Sequence, residues 1–255
     1  MTRKANPGGS GAMPRSSLRL YVEGVLTPGG AVECTAAHAN YLGNVMRLRA
    51  GDAVLLFNGR DGEWLAEITA MTRSACALTA RELVRPQTGG PDVHYLFAPL
   101  KMARLDYMVQ KATEMGVAAL RPVITRRTIA ERVKIERMRA NAIEAAEQCG
   151  VLRVPEIHEP QKLDGVLRDW TAKRVLIFAD ETASVASPLE ALQSVPQGPA
   201  ALLIGPEGGF DEEERETLGR LPFVCPISLG PRVMRADTAA VAALALINAV
   251  LGDWR

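Results

Sequence analysis

The chain has 255 residues, of which 47% are hydrophobic and 23% are charged, and its formal net charge is +1. This composition is that of an ordinary globular protein and excludes wholesale disorder, collagen and coiled coil. A chain of this length folds as one or two domains and buries a sizeable core.

The longest mostly apolar stretch, residues 239–251, is shorter than the roughly 20 residues of a membrane-spanning helix. No charged and apolar leader opens the chain, so we expect a cytoplasmic protein with no membrane partner. The cysteines are scattered without a C-x-x-C pair, which disfavours a zinc or redox motif. They are Cys34, Cys76, Cys149 and Cys225.

The first part of the chain predicts a flexible tail followed by a small β-rich domain. Residues 1–13 lack apolar periodicity and are typical of a tail. Asn58-Gly59 and Asp61-Gly62 supply the turn chemistry of a β-hairpin. The expected strands are residues 18–22, 53–57, 63–68 and 75–78, and the expected helix is residues 38–46. The predicted domain covers residues 14–85.

Residues 86–92 predict a linker, because they contain two prolines, two glycines and no core residue. After the linker, strands alternate with helices up to residue 255. The expected strands are residues 93–98, 117–124, 175–178, 201–204 and 224–228. The expected helices are residues 102–115, a long helix ending near residues 148–150, and residues 238–251. This order predicts an α/β domain over residues 93–255, with a mostly parallel sheet covered on both faces.

Charge is unevenly distributed along the second domain. Residues 121–139 hold seven basic and two acidic side chains, a net charge of +5, whereas residues 164–231 carry a net charge of −6. The basic segment is either a solvated helix face with local ion pairs or a surface that binds phosphates. Charge counting leaves both interpretations open.

Three predicted strands end in loops rich in glycine, proline or acidic residues. Their loops begin at Asp180, at residues 205–209 (Gly-Pro-Glu-Gly-Gly) and at residues 230–232 (Gly-Pro-Arg). Ligands bind outside the carboxyl ends of parallel strands, and glycines let the backbone approach a flat ligand. Such loops suit an adenine or a sugar. A tight strand-to-helix turn is the structural alternative.

A nucleotide-hydrolase loop is disfavoured at residues 205–209. It requires Gly-Lys-Ser/Thr after the glycines, but residues 211–214 are all acidic and would repel a triphosphate. These acids suit the start of a helix, with Asp211 as its N-cap and Glu214 as the matching residue of a capping box.

Two arginines and one carboxylate precede the last predicted helix. Arg232 and Arg235 can each hold a phosphate or carboxylate through two hydrogen bonds. Asp237 is also expected to act as the N-cap or a first-turn acid of that helix. The histidines are isolated in sequence from one another and from any serine or cysteine pattern, so we expect no catalytic role for His38, His94 or His158.

Two motifs together resemble the knotted SPOUT methyltransferase superfamily, and more closely its RsmE-type enzymes. They are residues 203–210 (Leu-Ile-Gly-Pro-Glu-Gly-Gly-Phe) and residues 229–235 (Leu-Gly-Pro-Arg-Val-Met-Arg). Further matching segments are residues 41–48, 56–59, 110–117, 126–127 and 144–150. The resemblance covers residues 14–252. It implies an α/β SPOUT-type parallel sheet with a C-terminal trefoil knot, preceded by a small β-barrel PUA-like RNA-binding domain.

The resemblance implies methylation of uridine N3 in small-subunit (16S) ribosomal RNA with S-adenosylmethionine as the methyl donor. The expected partners are 16S ribosomal RNA or the small ribosomal subunit, and a second copy of the chain in a homodimer. No metal is expected. Two alternatives stay open at this point: a non-catalytic RNA-binding or ribosome-assembly protein, and a SPOUT methyltransferase acting on another RNA.

The resemblance assigns Arg235 and Asp237 as catalytic candidates, Arg235 toward the uracil or its phosphate and Asp237 as a base or as a partner of Arg235. Arg232 is expected near the same cluster or the methionine carboxylate. The other cofactor-binding candidates are Phe178, Ala179, Ile204, Gly205, Pro206, Glu207, Gly208, Gly209, Ser228, Leu229, Gly230, Val233 and Met234. The RNA-binding candidates are Arg15, Arg19, Arg47, Arg126, Arg127, Arg132 and Lys134.

The chain departs from the family pattern at two places. Residues 235–239 read Arg-Ala-Asp-Thr-Ala, where the family usually has Arg-Thr-Glu-Thr-Ala, so the carboxylate has a shorter arm and a hydroxyl is lost. Val151 stands where the family tends to place an arginine, and Arg153 follows nearby.

Overall fold

A computed structural model describes residues 18–129, 132–183 and 187–254. The chain divides into two compact units, Met1–Pro86 and Gln87–Arg255. The expected tail and Arg15 lie outside the described residues. Over the described residues, no helix is both long and apolar enough to cross a membrane.

The first unit is built on a five-stranded sheet with the order β1-β3-β4-β5-β2. β1 runs parallel to β3, and the other neighbours are antiparallel. Its strands are β1 (Arg19–Tyr21), β2 (Ala31–Glu33), β3 (Ala53–Phe57), β4 (Glu63–Met71) and β5 (Cys76–Arg85). β2 was not predicted, because its three residues carry too short a pattern, and β5 continues beyond the predicted end at residue 78.

The expected helix of this unit consists of two parts. α1 (Ala36–Asn40) continues directly into a π-helical turn over Tyr41–Val45. The Thr35 hydroxyl accepts from the backbone N–H of His38, and the His38 ring accepts from the backbone N–H of Thr35. His38 therefore caps the start of this helix.

The predicted hairpin between β3 and β4 is confirmed, and its turn is held by side chains. The side-chain oxygen of Asn58, Oδ1, accepts from the backbone N–H groups of Arg60 and Asp61. The Asp61 carboxylate accepts from the Leu26 backbone and the Asn58 amide. The Leu26 hydrogen bond, followed by that of Asn58, lowers the pKa of Asp61.

A buried ion pair crosses the start of β4. Glu63 has no exposed side-chain surface, and its two oxygens lie 2.6 Å from Arg19 Nε and 2.8 Å from Arg85 Nε. The Arg19 guanidinium also lies 4.3 Å from the Phe57 ring centroid. Burial raises the pKa of Glu63, but the hydrogen bonds from Arg85 and Arg19 outweigh burial and lower it overall. Because Arg19 is buried in this ion pair, we remove it from the RNA-binding candidates.

The second unit is an α/β layer structure. Six strands follow the order β12-β10-β11-β6-β7-β8, and β9 also pairs with β7. All of these pairs are parallel. The strands are β6 (Val93–Phe97), β7 (Ala119–Ile124), β8 (Glu156–Ile157), β9 (Gln161–Lys162), β10 (Val175–Ala179), β11 (Ala200–Ile204) and β12 (Val224–Ile227). β11 inserts between β6 and β10.

The helices of this unit are α2 (Met102–Glu114), α3 (Ile135–Cys149), α4 (Leu163–Arg168), α5 (Pro188–Gln193), α6 (Glu212–Arg220) and α7 (Ala236–Val250). α2 buries Leu105, Met108, Val109 and Ala112 along one face. It ends before Gly116, whose φ of +76° is the left-handed conformation expected there. The predicted capping box of Asp211 and Glu214 is present at the start of α6. α4 and α5 were not predicted, because each has only six residues.

Apolar side chains cover both faces of the parallel sheet. In β6, Tyr95 and Phe97 pack in one cluster with residues of α2, α3, α5 and α7. Leu96, between them, packs in a second cluster with residues of α4 and α6. Because successive strand residues enter opposite clusters, the strand is buried on both sides. The predicted fold class is confirmed, while the trefoil knot stays a prediction.

A polar cluster lies at the amino ends of the strands. The sequence did not predict it, because its residues are far apart in the chain. The rings of His94 and His158 lie with centroids 6.4 Å apart, although the two residues are far apart in the chain. Burial, with added repulsion from Arg174, lowers the pKa of His94 to about 4. At the same edge, Arg153 donates to the backbone oxygens of Pro91 and Gly116. These residues therefore support the sheet edge opposite the carboxyl ends.

We expect Glu63→Gln to destabilise the first unit by about 3 kcal/mol, because two guanidinium groups would then face a neutral amide. Urea unfolding followed by hydrogen exchange of peptides from residues 53–85 measures this loss. Since the pKa of Glu63 is lowered by folding, its stabilisation is present at neutral pH and is lost as the pH falls through the folded-state pKa.

The matched control is Glu67→Gln in the same strand. Glu67 pairs with Arg81 across to β5, but both side chains are about half exposed, so we expect a loss below about 1 kcal/mol. Equal losses in the two variants would contradict a structural role for the buried pair.

Candidate active site

The carboxyl ends of β10 and β11 and the start of α7 surround a cavity of about 420 Å³. This volume lies within the range of roughly 300–1,000 Å³ that is typical of small-molecule sites. The cavity is lined by Arg104, Ala179, Glu181, Ile204, Gly205, Pro206, Glu207, Gly209, Phe210, Val233, Met234, Arg235, Ala236 and Ala239.

A smaller cavity of about 70 Å³ adjoins the first and shares part of its wall. The shared residues are Ala179, Glu181, Val233, Met234 and Ala239. The smaller cavity adds Asp180, Leu229, Gly230 and Arg232. The loops after β10, β11 and β12 thus meet around one connected space, as expected for the carboxyl edge of a parallel sheet.

Most of the predicted cofactor residues contribute to these walls. Those that line one or both cavities are Ala179, Ile204, Gly205, Pro206, Glu207, Gly209, Leu229, Gly230, Arg232, Val233 and Met234. Three others do not. Phe178 is buried beneath the cavity, Gly208 offers its carbonyl oxygen to Arg127, and the Ser228 hydroxyl accepts from the backbone of Gly230.

Phe210 explains why the first glycine of the loop is required. A Cβ atom on Gly205 would lie 2.5 Å from the Phe210 ring. That ring is buried and stands edge-on to Phe178, with centroids 5.0 Å apart. The glycine therefore allows the loop to close tightly over an aromatic pair. Sequence reasoning did not assign Phe210 to the site, although it immediately follows the glycine motif.

Ion pairs hold the cavity walls in place. Arg104, in the first turn of α2, pairs with Glu207 of the glycine loop. Arg215 of α6 donates to Glu181, at 2.9 Å, in the loop after β10. Neither Arg104 nor Glu181 was predicted, because no local pattern distinguishes them from ordinary surface charges.

The basic segment and the acidic start of α6 contact each other. Arg126 Nη1 lies 2.9 Å from an Asp211 oxygen and also pairs with Glu213. A hydrogen bond from the Glu214 backbone, with Arg126 adding to it, lowers the pKa of Asp211. The pKa of Glu213 is lowered by Arg126 itself. Part of the basic run is therefore neutralised by distant acids.

Glu214 connects the same two segments through its buried carboxylate. One oxygen accepts from the backbone N–H of Arg126 at 2.9 Å, and the other accepts from the backbone N–H of Asp211 at 3.1 Å. Arg127 completes the connection by donating to the Gly208 carbonyl oxygen at 2.9 Å. The glycine loop is thus fixed to the segment after β7.

The remaining predicted residues occupy different surroundings. Arg235 is the N-cap residue of α7 and lines the larger cavity. Asp237 lies in the first turn of α7, where its carboxylate accepts from the Thr238 backbone, and it lines neither cavity. Arg47 is exposed in the first unit. Arg132 and Lys134 lie near the start of α3, beside a separate cleft.

In the part of the chain that the structure describes, no group of three or more His, Cys, Asp or Glu side chains is arranged to hold a metal ion.

Comparison with known proteins identifies the class. A family model described as "RNA methyltransferase domain" matches residues 88–248, and one described as "RNA methyltransferase PUA domain" matches residues 35–80. The chain therefore belongs to the RNA methyltransferase family, which confirms the assignment made from the motifs.

Individual relatives of the chain have more specific names than the family models. The protein named ribosomal RNA small subunit methyltransferase E from Rickettsia conorii is 30% identical, over 90% of this chain and 94% of the relative. A protein from Legionella pneumophila, solved with SAM as its bound cofactor, has a TM-score of 0.83 and 32% identity, over 93% of this chain and 99% of that one. The ribosomal RNA small subunit methyltransferase E of Neisseria gonorrhoeae, bound to S-adenosylmethionine, has a TM-score of 0.79 and 25% identity, over 94% and 100%.

We expect Glu214→Gln to loosen the glycine loop. The amide keeps one acceptor oxygen and places an NH₂ group against a backbone donor, so one buried N–H loses its partner, at a cost of about 1–3 kcal/mol. Amide exchange in residues 205–211 should then become about tenfold faster, as measured by hydrogen-exchange mass spectrometry.

Glu216→Gln is the matched control in the same helix. Glu216 forms an exposed pair with Arg220 one turn away, and its loss should leave exchange in the glycine loop unchanged. If the Glu214 variant also exchanged like the wild type, the proposed clamp would be wrong.

Proposed function

We propose that the protein methylates uridine N3 in 16S ribosomal RNA with S-adenosylmethionine as the methyl donor. The observation that carries this proposal is the cavity at the carboxyl edge of the sheet, which combines side-chain-poor loops with the Arg235 guanidinium in its wall. The family assignment and the cofactor-bound relatives support the same reaction.

The residues around the two cavities fit this cofactor. Glycines at 205, 209 and 230 give a flat adenosine access to backbone N–H and C=O groups. Asp180 and Glu181 suit the ammonium group of the methionine part, and Arg232 suits its carboxylate. When bound, the cofactor supplies an electrophilic methyl group on a sulfonium sulfur.

We propose that Arg235 stabilises the negative charge that develops on the uracil ring during methyl transfer. Uridine N3 carries a proton at neutral pH and becomes a good nucleophile only as that proton leaves. A guanidinium aimed at the uracil carbonyl oxygens stabilises the negative charge that develops on the ring. Holding the uracil in line with the methyl group supplies a further part of the rate enhancement. We therefore assign Arg235 as a catalytic residue.

We assign Asp237 to a positioning role. It lines neither cavity, and its carboxylate accepts from the Thr238 backbone at the start of α7, two residues after the Arg235 N-cap. An acid in the first turn of a helix is stabilised by the helix dipole. We infer that Asp237 stabilises the helix end that presents Arg235, and that it is not the general base.

RNA binding is proposed to combine both units. The PUA match over residues 35–80 supports an RNA-binding role for the first unit, where Arg47 is an exposed cation. In the second unit, Arg127, Arg132 and Lys134 remain phosphate-binding candidates. Arg126 is largely committed to Asp211 and Glu213. We further propose a homodimer that works in the cytoplasm, where small ribosomal subunits are assembled.

The reaction is tested by mass mapping of methylated uridines in ribosomal RNA from cells with and without the gene. We expect one N3-methyluridine in 16S ribosomal RNA to disappear without the gene and to reappear after incubation of that RNA, or of small subunits, with purified protein and S-adenosylmethionine. Methylation of a ribose or of another RNA would contradict the proposed substrate. Binding of RNA without methyl transfer would contradict the enzymatic assignment.

We expect Arg235→Ala to lower kcat by about 10²–10³-fold, the loss typical of one missing donor to a developing anion. Arg235→Lys should recover part of that loss, because the charge remains while the paired N–H geometry is lost. Methyl transfer under saturating RNA and cofactor gives kcat, and isothermal titration gives cofactor affinity, which we expect to stay within about threefold in both variants.

Arg220→Ala is a suitable control, because this arginine forms an exposed pair with Glu216 and lines neither cavity. Its kcat should equal that of the wild type. A wild-type rate in Arg235→Ala would remove Arg235 from the catalytic machinery.

A further inference from the structure

Two additional clefts of the second unit adjoin the large cavity and each other through shared wall residues. The first, which we call the near cleft, measures about 170 Å³ and is lined by Pro99, Leu100, Lys101, Arg127, Ile129, Pro206 and Glu207. It shares Pro206 and Glu207 with the large cavity. The near cleft therefore lies against the glycine loop that forms one wall of the large cavity.

The second, which we call the far cleft, measures about 210 Å³. It is lined by Leu100, Lys101, Met102, Leu105, Asp106, Arg132, Lys134, Arg137 and Met138. It shares Leu100 and Lys101 with the near cleft. The cavity and the two clefts thus adjoin one another in a row, and Lys101 is the cation common to both clefts.

The acids in these clefts are already neutralised. Asp106 accepts two hydrogen bonds from Arg137, at 2.8 and 2.6 Å, and one from Asn141. Glu207 pairs with Arg104. Lys101, Arg132 and Lys134, by contrast, form no ion pair with any described residue. Among the described residues, the clefts therefore present positive charge that no acid compensates.

Apolar side chains form the remaining surface of the clefts. Leu100, Leu105 and Met138 are buried at their base, while Met102 and Ile129 remain 51% and 78% exposed at their edges. Each cleft is smaller than the roughly 300 Å³ at which drug-sized sites begin. An apolar floor of limited size beside free cations matches a single nucleobase joined to a phosphate.

We propose that the near and far clefts bind the two consecutive nucleotides that flank the target nucleotide on one side in single-stranded RNA, and that Lys101 contacts the phosphate between them. Their bases pack against the apolar floors, and Arg132 and Lys134 contact the next phosphate. This inference rests on the proposed function, since the direction of the series is defined by a target base in the large cavity.

The proposal is tested with Lys101→Ala and Lys101→Glu in the full-length protein. The probe is a 16S ribosomal RNA fragment that contains the target uridine, and its Kd is measured by fluorescence anisotropy over a range of salt concentrations. We expect Kd to rise about tenfold for alanine and further for glutamate, and the salt slope to fall by about 0.7–1, the value for one lost phosphate contact. In methyl-transfer assays, we expect the two Lys101 variants to raise KM for RNA.

The matched control is Lys173→Ala, which removes an exposed lysine from the turn before β10, at the opposite edge of the sheet. Its Kd and salt slope should equal those of the wild type. Titration with S-adenosylmethionine in every variant provides a second readout, and wild-type affinity there shows that the Lys101 variants are correctly folded.

Three outcomes would overturn the inference. One is a Kd and salt slope for both Lys101 variants equal to those of Lys173→Ala. Another is a shift of the monomer–dimer equilibrium without loss of RNA affinity, which would assign the clefts to a second copy of the chain. The third is failure of 4-thiouridine, placed beside the target nucleotide, to crosslink to residues 99–106. Wild-type protein that binds RNA but transfers no methyl group would instead refute the proposed function.

Discussion

The site depends on how closely the loop after β11 can fold back over its own strand. The Phe210 ring occupies the space that a side chain at position 205 would need, and Phe178 from the neighbouring strand supports that ring. The aromatic pair lies beneath the loop, and Gly205, Pro206, Glu207 and Gly209 form part of the cavity wall above it. A side chain at position 205 would displace Phe210 and with it the wall that both the cavity and the near cleft share.

Ion pairs and hydrogen bonds with the segment after β7 stabilise the glycine loop and the start of α6. The acidic run 211–214 and the basic residues after β7 look like two unrelated features in the sequence, and they suggest opposite partners. In the fold they neutralise each other: Arg126 contacts Asp211 and Glu213, and Glu214 accepts from two backbone N–H groups. The same contacts reduce the part of the basic run that is free for phosphates. We therefore expect RNA affinity to come from cations that form no ion pair among the described residues, such as Lys101, Arg132 and Lys134.

Local sequence signals predicted the elements that depend on local physics. The capping box of Asp211 and Glu214, the turn at Asn58 and the left-handed Gly116 each need only neighbouring residues, and each was predicted correctly. The parallel sheet followed from the alternation of strands and helices, and the motifs identified the family. Contacts between distant segments could not be read in the same way. Arg19 looked like a surface cation until its partner Glu63 was located, and Arg104 joined the site only because α2 starts beside the glycine loop.

Sharing of wall residues has a consequence for how the two ligands interact. Pro206 and Glu207 face the large cavity on one side and the near cleft on the other. A ligand that orders this loop reduces the conformational entropy that the second ligand must lose when it binds. Arg104 strengthens the connection, since it joins Glu207 to α2, and α2 begins directly after Lys101. If RNA binds in the near cleft as proposed, cofactor and RNA contact the same structural element, and we then expect each ligand to raise the affinity for the other by the same factor.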